Sequence, residues 1–300
     1  MKVFNKSKTI KKEKFALLLI APSLIGILLL VVYPIIYSFW ISLFKYDPIA
    51  NSTFLGLGNY ISALKNSTVL YSLKLTFVFA LSATGLVTFI GLIISLIMNR
   101  DFLGKKLCRA LLLIPWALPE IVCVIIWGWI YNSDYGILNY FLEKLNLISS
   151  YKSWLGDLVL TMPSVIIVQV WKSIPMVTLI FMAGLDTMPK RLYEAAQIDG
   201  ANTWQSFWYI TLPFLKPYLA ITLVIQTMWS FRSFTLFYGL TGGGPINKTM
   251  VLSMLTYKQF FEYLKFGYGS ALAYFMLILV VPFVLFYMKL FSFGSDDSEQ

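Results

Sequence analysis

Histidine is missing from the sequence altogether, cysteine occurs twice, and charged residues make up only 13% of 300 positions. Without histidine there is no imidazole to ligate a metal or to activate a nucleophile. Cys108 and Cys123, with 14 residues between them, lie on or near one apolar stretch. That placement suits neither a disulfide nor a thiolate metal site, and both read as packing residues. No pair of carboxylates stands at ligand or catalytic spacing, so an intramembrane enzyme is not expected, and neither is a metal or a cofactor.

The scarcity of charge carries further. Soluble domains average roughly 25% charged residues. Here 58% of the chain is hydrophobic and the mean hydropathy is +0.74, which places it in a membrane. The net charge of +10 suits either a nucleic-acid partner or an orientation signal in membrane loops, and its distribution decides between them.

Six apolar runs are each long enough to cross roughly 30 Å of hydrocarbon as a helix. They fall near Phe15 to Phe39, Leu75 to Met98, Ala110 to Tyr131, Leu158 to Leu185, Tyr218 to Tyr238 and Ser270 to Phe291. The first continues past the length of a signal-peptide core and shows no small-residue cleavage site, so a retained span is expected. Fourteen Lys and Arg side chains collect on the side of the N-terminus and eight on the other. The positive-inside rule then puts both termini in the cytoplasm and excludes nucleic acid as the reason for the charge. The fold class expected is all-α, with a basic N-terminus over 1–14, one membrane domain over 15–292, and a polar tail over 293–300.

Between the fourth and fifth runs lies the inner-side stretch "YEAAQIDGANTWQSFWYITLPFLKP". Pro189 suits the first turn of a helix, and "PKRLYEAAQID" continues in helix formers until Asp199-Gly200 signals a turn. Leu192, Ala195, Ala196 and Asp199 share one shallow helical face, with Arg191 and Glu194 to either side. Asn202 caps a second short helix, with Gln205 in the capping-box position. Pro213 and Pro217 close the stretch.

On "EAAQIDG" and "ITLPFLKP", this loop resembles that of permease subunits of ATP-binding-cassette importers. "APSLIGILLLVVYPIIYSFWISL", "FLGLGNYISAL", "LTGGGP" and "FGYGSALAY" resemble the carbohydrate-uptake branch and its larger, first-type permease. The resemblance covers most of the chain. It implies that 186–217 forms a coupling helix seated in a separate ATPase. Glu194 would make a polar contact there, Ala195 and Ala196 would allow close seating, and Asp199, Gly200, Leu212 and Pro213 would shape the loop. It implies as partners a second homologous permease, two ATPase subunits, an extracellular solute-binding protein, the bilayer, and a sugar or oligosaccharide. It also implies that Gly242, Gly243, Gly244 and Pro245 face the binding protein.

"GGGPINKT" comes near a phosphate-binding loop, but Asn247 stands where a glycine should precede Lys248 and no strand comes before it. Hydrolysis therefore belongs on another chain. Inside the spans, Glu120 and Lys172 lie at similar depth, where they either pair or line a solute path with Gln169 and Arg232. Trp116, Trp127, Trp129, Trp171 and Trp229 suit either sugar stacking or a membrane-interface belt. Gly85 and Gly91 mark helix contacts. The alternative to an importer subunit is a secondary transporter or channel driven by an ion gradient, for which Glu120 is the one mid-span acid.

Overall fold

A computed structural model of the chain describes residues 18–46 and 52–292. The basic N-terminus and the polar tail lie outside the described residues. Apart from one two-stranded antiparallel pair, β1 (Phe44–Lys45) with β2 (Thr53–Phe54), the described elements are helical. Four helices are long and apolar enough to cross a membrane: α1 (Leu18–Ser42), α3 (Ser67–Asn99), α7 (Thr161–Thr187) and α13 (Phe266–Ser292). Two bent pairs bring the number of candidate spans to six.

Two of the six expected spans are thus pairs of helices that meet at a bend. Over the third run the chain forms α4 (Lys105–Ala117) and α5 (Glu120–Ile130), which meet at 98°. Leu118, the residue before Pro119, is extended at φ −74°, ψ 137°. Proline sterically disfavours helical geometry at that position, so the helix stops there. Near the fifth run, α9 (Thr203–Phe214) meets α10 (Lys216–Phe231) at 64°.

The chain divides into two compact units. The larger holds Asn66–Lys258 and the chain from Phe275 onward. Its centre is α3, whose first turn is capped by Asn66 Oδ1 accepting from the Thr68 and Val69 amides at 2.9 and 3.4 Å. At 33 residues α3 runs to about 50 Å, well beyond the hydrocarbon thickness. It packs along α7, and Gly91 is a point of close approach. A Cβ there would stand 2.5 Å from Val177 Cγ1, so only glycine lets the two helices meet. Gly85 departs from the expectation, because a Cβ at that position would meet nothing within 4 Å. Asp157 leads into α7 by accepting from the Val159 and Leu160 amides at 2.7 and 2.9 Å, which holds its carboxyl below the ordinary range. Nearer its start, α3 also meets α10, where Phe77 packs edge-on against Phe231 at 5.3 Å.

The smaller unit holds residues 18–65 and 259–274 among those described. Asn59, on α2 (Gly58–Lys65), donates to the Ser42 and Phe44 carbonyls at 2.8 and 2.9 Å. Tyr274 packs its ring 5.2 Å from Phe39 and donates to the Ile35 carbonyl. The apolar side chains of α1 are largely exposed, as suits a helix surrounded by lipid.

Candidate functional site

A cavity in the larger unit lies beside the break at Leu118–Pro119 and the end of α10 at Arg232. The cavity has a volume of about 370 Å³ and is lined in part by Glu120, Gln169, Lys172 and Arg232. All four residues named from sequence thus meet in one place, although they come from α5, α7 and the end of α10. Glu120 is the first residue of α5, where the positive end of the helix favours a carboxylate. Arg232 caps the C-terminus of α10, where the negative end favours a guanidinium. Helix ends placed inside a bundle therefore stabilise both charges where continuous helices would not.

Of the two arrangements open to Glu120 and Lys172, the structure shows no ion pair between them, and both line the cavity. Lys172 Nζ donates instead to the Leu118 carbonyl at 2.7 Å and lies 3.8 Å from Cys123 Sγ. That carbonyl is one of those freed by the break between α4 and α5, so the kink and the lysine satisfy each other. Gln169 Nε2 donates to Ser173 Oγ one turn on, at 3.1 Å.

The cavity is completed by Trp116, Ser173, Trp229, Ser233, Phe234 and Thr235. Sequence reading singled out the two tryptophans only as members of a set. Ser173 stood at helical spacing from Gln169, a usable signal. Ser233 and Thr235 owe their place to the chain leaving the helix at Arg232, before α11 (Thr235–Leu240) begins.

The loop between α7 and α10 forms two helices, α8 (Lys190–Ile198) and α9. Gly200 has φ +78°, a left-handed conformation natural to glycine, and a Cβ there would meet nothing within 4 Å. The capping box is present: the Asn202 amide donates to Gln205 Oε1 at 2.8 Å and the Gln205 amide to Asn202 Oδ1 at 2.9 Å. Glu194, Ala195 and Asp199 are exposed together with Leu192 and Ile198. Ala196 is not part of that face. It is buried, and its carbonyl accepts from the Ala201 amide, so it packs the loop together. The loop is tied to its stems where Gly184 meets Leu215 and Tyr218 too closely for any Cβ. Tyr193 and Thr211 share a hydroxyl hydrogen bond of 2.7 Å beside a second cavity of about 320 Å³. Leu212 and Pro213 form the last turn of α9.

The turn holding Gly242, Gly243, Gly244 and Pro245 is braced from within. Thr249 Oγ1 lies 2.6 Å from the Gly244 carbonyl and 2.7 Å from Thr241 Oγ1. Gly243 has φ +89°, and a Cβ there would sit 2.5 Å from Met250 Cε. The element before this turn is the helix α11 rather than a strand, which removes the context of a phosphate-binding loop.

Comparison with known proteins gives one answer. The profile of the family described as binding-protein-dependent transport system inner membrane component matches residues 87–292. The trehalose/maltose transport system permease protein MalF of Thermococcus litoralis is 37% identical over 95% of this chain and 96% of its own. The sulfoquinovosyl glycerol transport system permease protein SmoG of Agrobacterium fabrum is 32% identical over 92% and 89%. Among solved structures, a chain of a bacterial ABC transporter involved in import of the acidic polysaccharide alginate superposes with a TM-score of 0.84 at 19% identity, over 98% of this chain and 100% of that one. The spans, the helical fold and these relatives together make the chain a member of the binding-protein-dependent inner membrane component family, a multi-pass, non-catalytic permease subunit of an ABC importer.

Proposed function

We propose that this permease imports sugars or oligosaccharides, that the cavity of Glu120, Gln169, Lys172 and Arg232 is the solute's station in the bundle, and that the loop 186–217 passes force from a separate ATPase. In this reading both termini are cytoplasmic. The chain works with a second homologous permease, two ATPase subunits and an extracellular solute-binding protein. The observation that carries it is the convergence of those four side chains on one cavity.

The chemistry of the lining supports a hydroxyl-rich solute. Two indoles offer flat apolar faces, while a carboxylate, a guanidinium, an amide and three hydroxyls offer both donors and acceptors. The volume falls within the roughly 300–1,000 Å³ usual for small-molecule sites. Two relatives are permeases whose names specify trehalose/maltose and sulfoquinovosyl glycerol. On the inner side, the exposed Glu194 and Ala195 leave α8 a face to seat in a partner. The bend at Gly200 returns the chain to α10, one wall of the cavity. Movement of the loop therefore has a direct covalent route to the solute's station.

The test is reconstitution of the full complex in liposomes, with uptake of labelled trehalose and maltose measured beside solute-stimulated ATP hydrolysis. Glu194→Lys is expected to leave assembly in the membrane intact and to lower both uptake and stimulated hydrolysis. Accumulation of solute by the isolated chain, with no ATPase present, overturns the reading in favour of an ion-coupled transporter.

A further inference from the structure

The short helix α6 (Ile137–Lys144), between α5 and α7, turns its apolar side outward and a polar side chain inward. Ile137, Tyr140, Phe141 and the capping Leu145 follow one another at intervals of three, one and four, which places them on one side of the helix. All four are exposed, Phe141 by 55% and Leu145 by 66%. Asn139, on the other side, is fully buried. A helix on the surface of a water-soluble body does the reverse.

Hydrogen bonds hold α6 in this orientation. Asn139 Nδ2 donates to the Asn132 and Lys152 carbonyls at 3.2 and 2.9 Å, and its Oδ1 accepts from the Lys152 amide at 3.1 Å and from Trp154 Nε1 at 2.9 Å. Those four bonds use the whole capacity of the amide. After the helix, Asn146 takes φ +56° and the Leu147 amide reaches the Leu142 carbonyl at 2.9 Å, a left-handed terminal turn that leaves Leu147 68% exposed. Rolling α6 to hide its apolar side would break the Asn139 bonds and strand a buried amide.

The position of α6 indicates what covers it. Tyr131, just past α5, donates to the Ser164 carbonyl of α7 at 3.1 Å, and Ser164 Oγ lies 3.4 Å from the Trp154 carbonyl, so α6 is held where the ends of α5 and α7 join. With 27 residues α7 is about 40 Å long against roughly 30 Å of hydrocarbon, which leaves its ends in the headgroup layers. Trp129, Leu158 and Val159, at this same end, are exposed as well and carry the apolar surface of the spans on toward α6. Lys144 lies within the outward face, but its ammonium sits over the Tyr140 ring at 5.7 Å, so the apolar stem stays on the face and the charge at its edge. Aliphatic and aromatic side chains joined to a lysine match the boundary between acyl chains and lipid phosphates. We infer that α6 is an interfacial anchor whose partner is the lipid surface, at the end of α7 away from the loop 186–217. Ile137, Phe141, Leu145 and Leu147 enter the acyl boundary, and Lys144 meets the phosphates. The anchor fixes the depth of α5 and α7, and it holds whatever solute the cavity takes.

Spin-label accessibility tests it in the complete complex, held in nanodiscs of phosphatidylethanolamine and phosphatidylglycerol. Cys108→Ser removes the accessible native thiol, and that background alone, with buried Cys123 in place, is the blank. Phe141→Cys and Leu145→Cys carry a nitroxide on the outward face, and Glu143→Cys carries one nearly opposite to both. Collision rates are measured with oxygen, which concentrates in lipid, and with a water-soluble nickel chelate. The oxygen-to-nickel ratio is expected to be about threefold or more higher at positions 141 and 145 than at 143. Equal ratios at all three, with free access for nickel, put the face in water and overturn the inference. Low collision with both reagents at 141 and 145 puts a protein over the face, the second permease or the solute-binding protein, and overturns it as well. All three positions are exposed, and the two on the face guard against one failed label.

Discussion

Lys172 Nζ donates to the Leu118 carbonyl at 2.7 Å, joining the middle of α7 to the break between α4 and α5. A backbone kink and a charge inside the bundle, each unfavourable alone, are thereby satisfied by one contact.

Replacing Lys172 with Met should therefore cost stability as well as transport. The carbonyl would lose its partner, which costs on the order of 1–3 kcal/mol for a buried polar group. Lys172→Gln retains a donor and should recover part of that stability. If Lys172 acted only on the solute, Lys172→Met would impair uptake and leave the thermal unfolding of the purified complex unchanged. Unfolding midpoints for the two variants separate the possibilities.

Gly91 and Gly85 give a matched pair on one helix. Gly91→Ala puts a methyl 2.5 Å from Val177 Cγ1, so α3 and α7 must separate, at an overpacking cost of roughly 1–3 kcal/mol. Gly85→Ala meets nothing and should be neutral or slightly stabilising, since alanine is the better helix former. Adding Val177→Ala to Gly91→Ala should restore part of the loss. Equal effects from the two glycine substitutions, read as complex yield and unfolding midpoint, would contradict the close approach at Gly91.

What the sequence made legible follows from the range over which each signal acts. Asn202 and Gln205 stand three residues apart and need nothing else to form a capping box, so that element was readable outright. Glu120, Lys172 and Arg232 stood out because charge within an apolar run is expensive, whatever surrounds it. Pro119 marks where the backbone of the third run can break, but the 98° turn taken there is not in the hydropathy, which records apolar continuity and not backbone direction. The helix of the second span begins before its apolar run, at Ser67. Tyr71, Ser72 and Lys74 lower the hydropathy over a turn that Asn66 nonetheless caps as helix. That Ala196 is buried while its neighbours Leu192, Ala195 and Asp199 are exposed was not legible, because spacing gives the phase of a helix relative to itself and not which side meets the body. The cavity residues past Arg232 depend on where α10 ends, a tertiary outcome.

Gly200 offers the sharpest test of the loop, because its backbone and its surroundings make opposite demands. At φ +78° an ordinary L-residue pays about 1–2 kcal/mol for its Cβ, and a β-branched residue more. The space around the position is open, so size alone is no obstacle. Asparagine tolerates this region through its short polar side chain, so Gly200→Asn should keep most of the solute-stimulated ATP hydrolysis. Gly200→Val should lose much of it, with the permease still in the membrane and still assembled. Should Val and Asn behave alike, bulk at an exposed interface would be the controlling factor and the bend would not. Should neither reduce coupling, α8 would not be the part that carries force, and the loop's role in the importer would have to be sought in another segment.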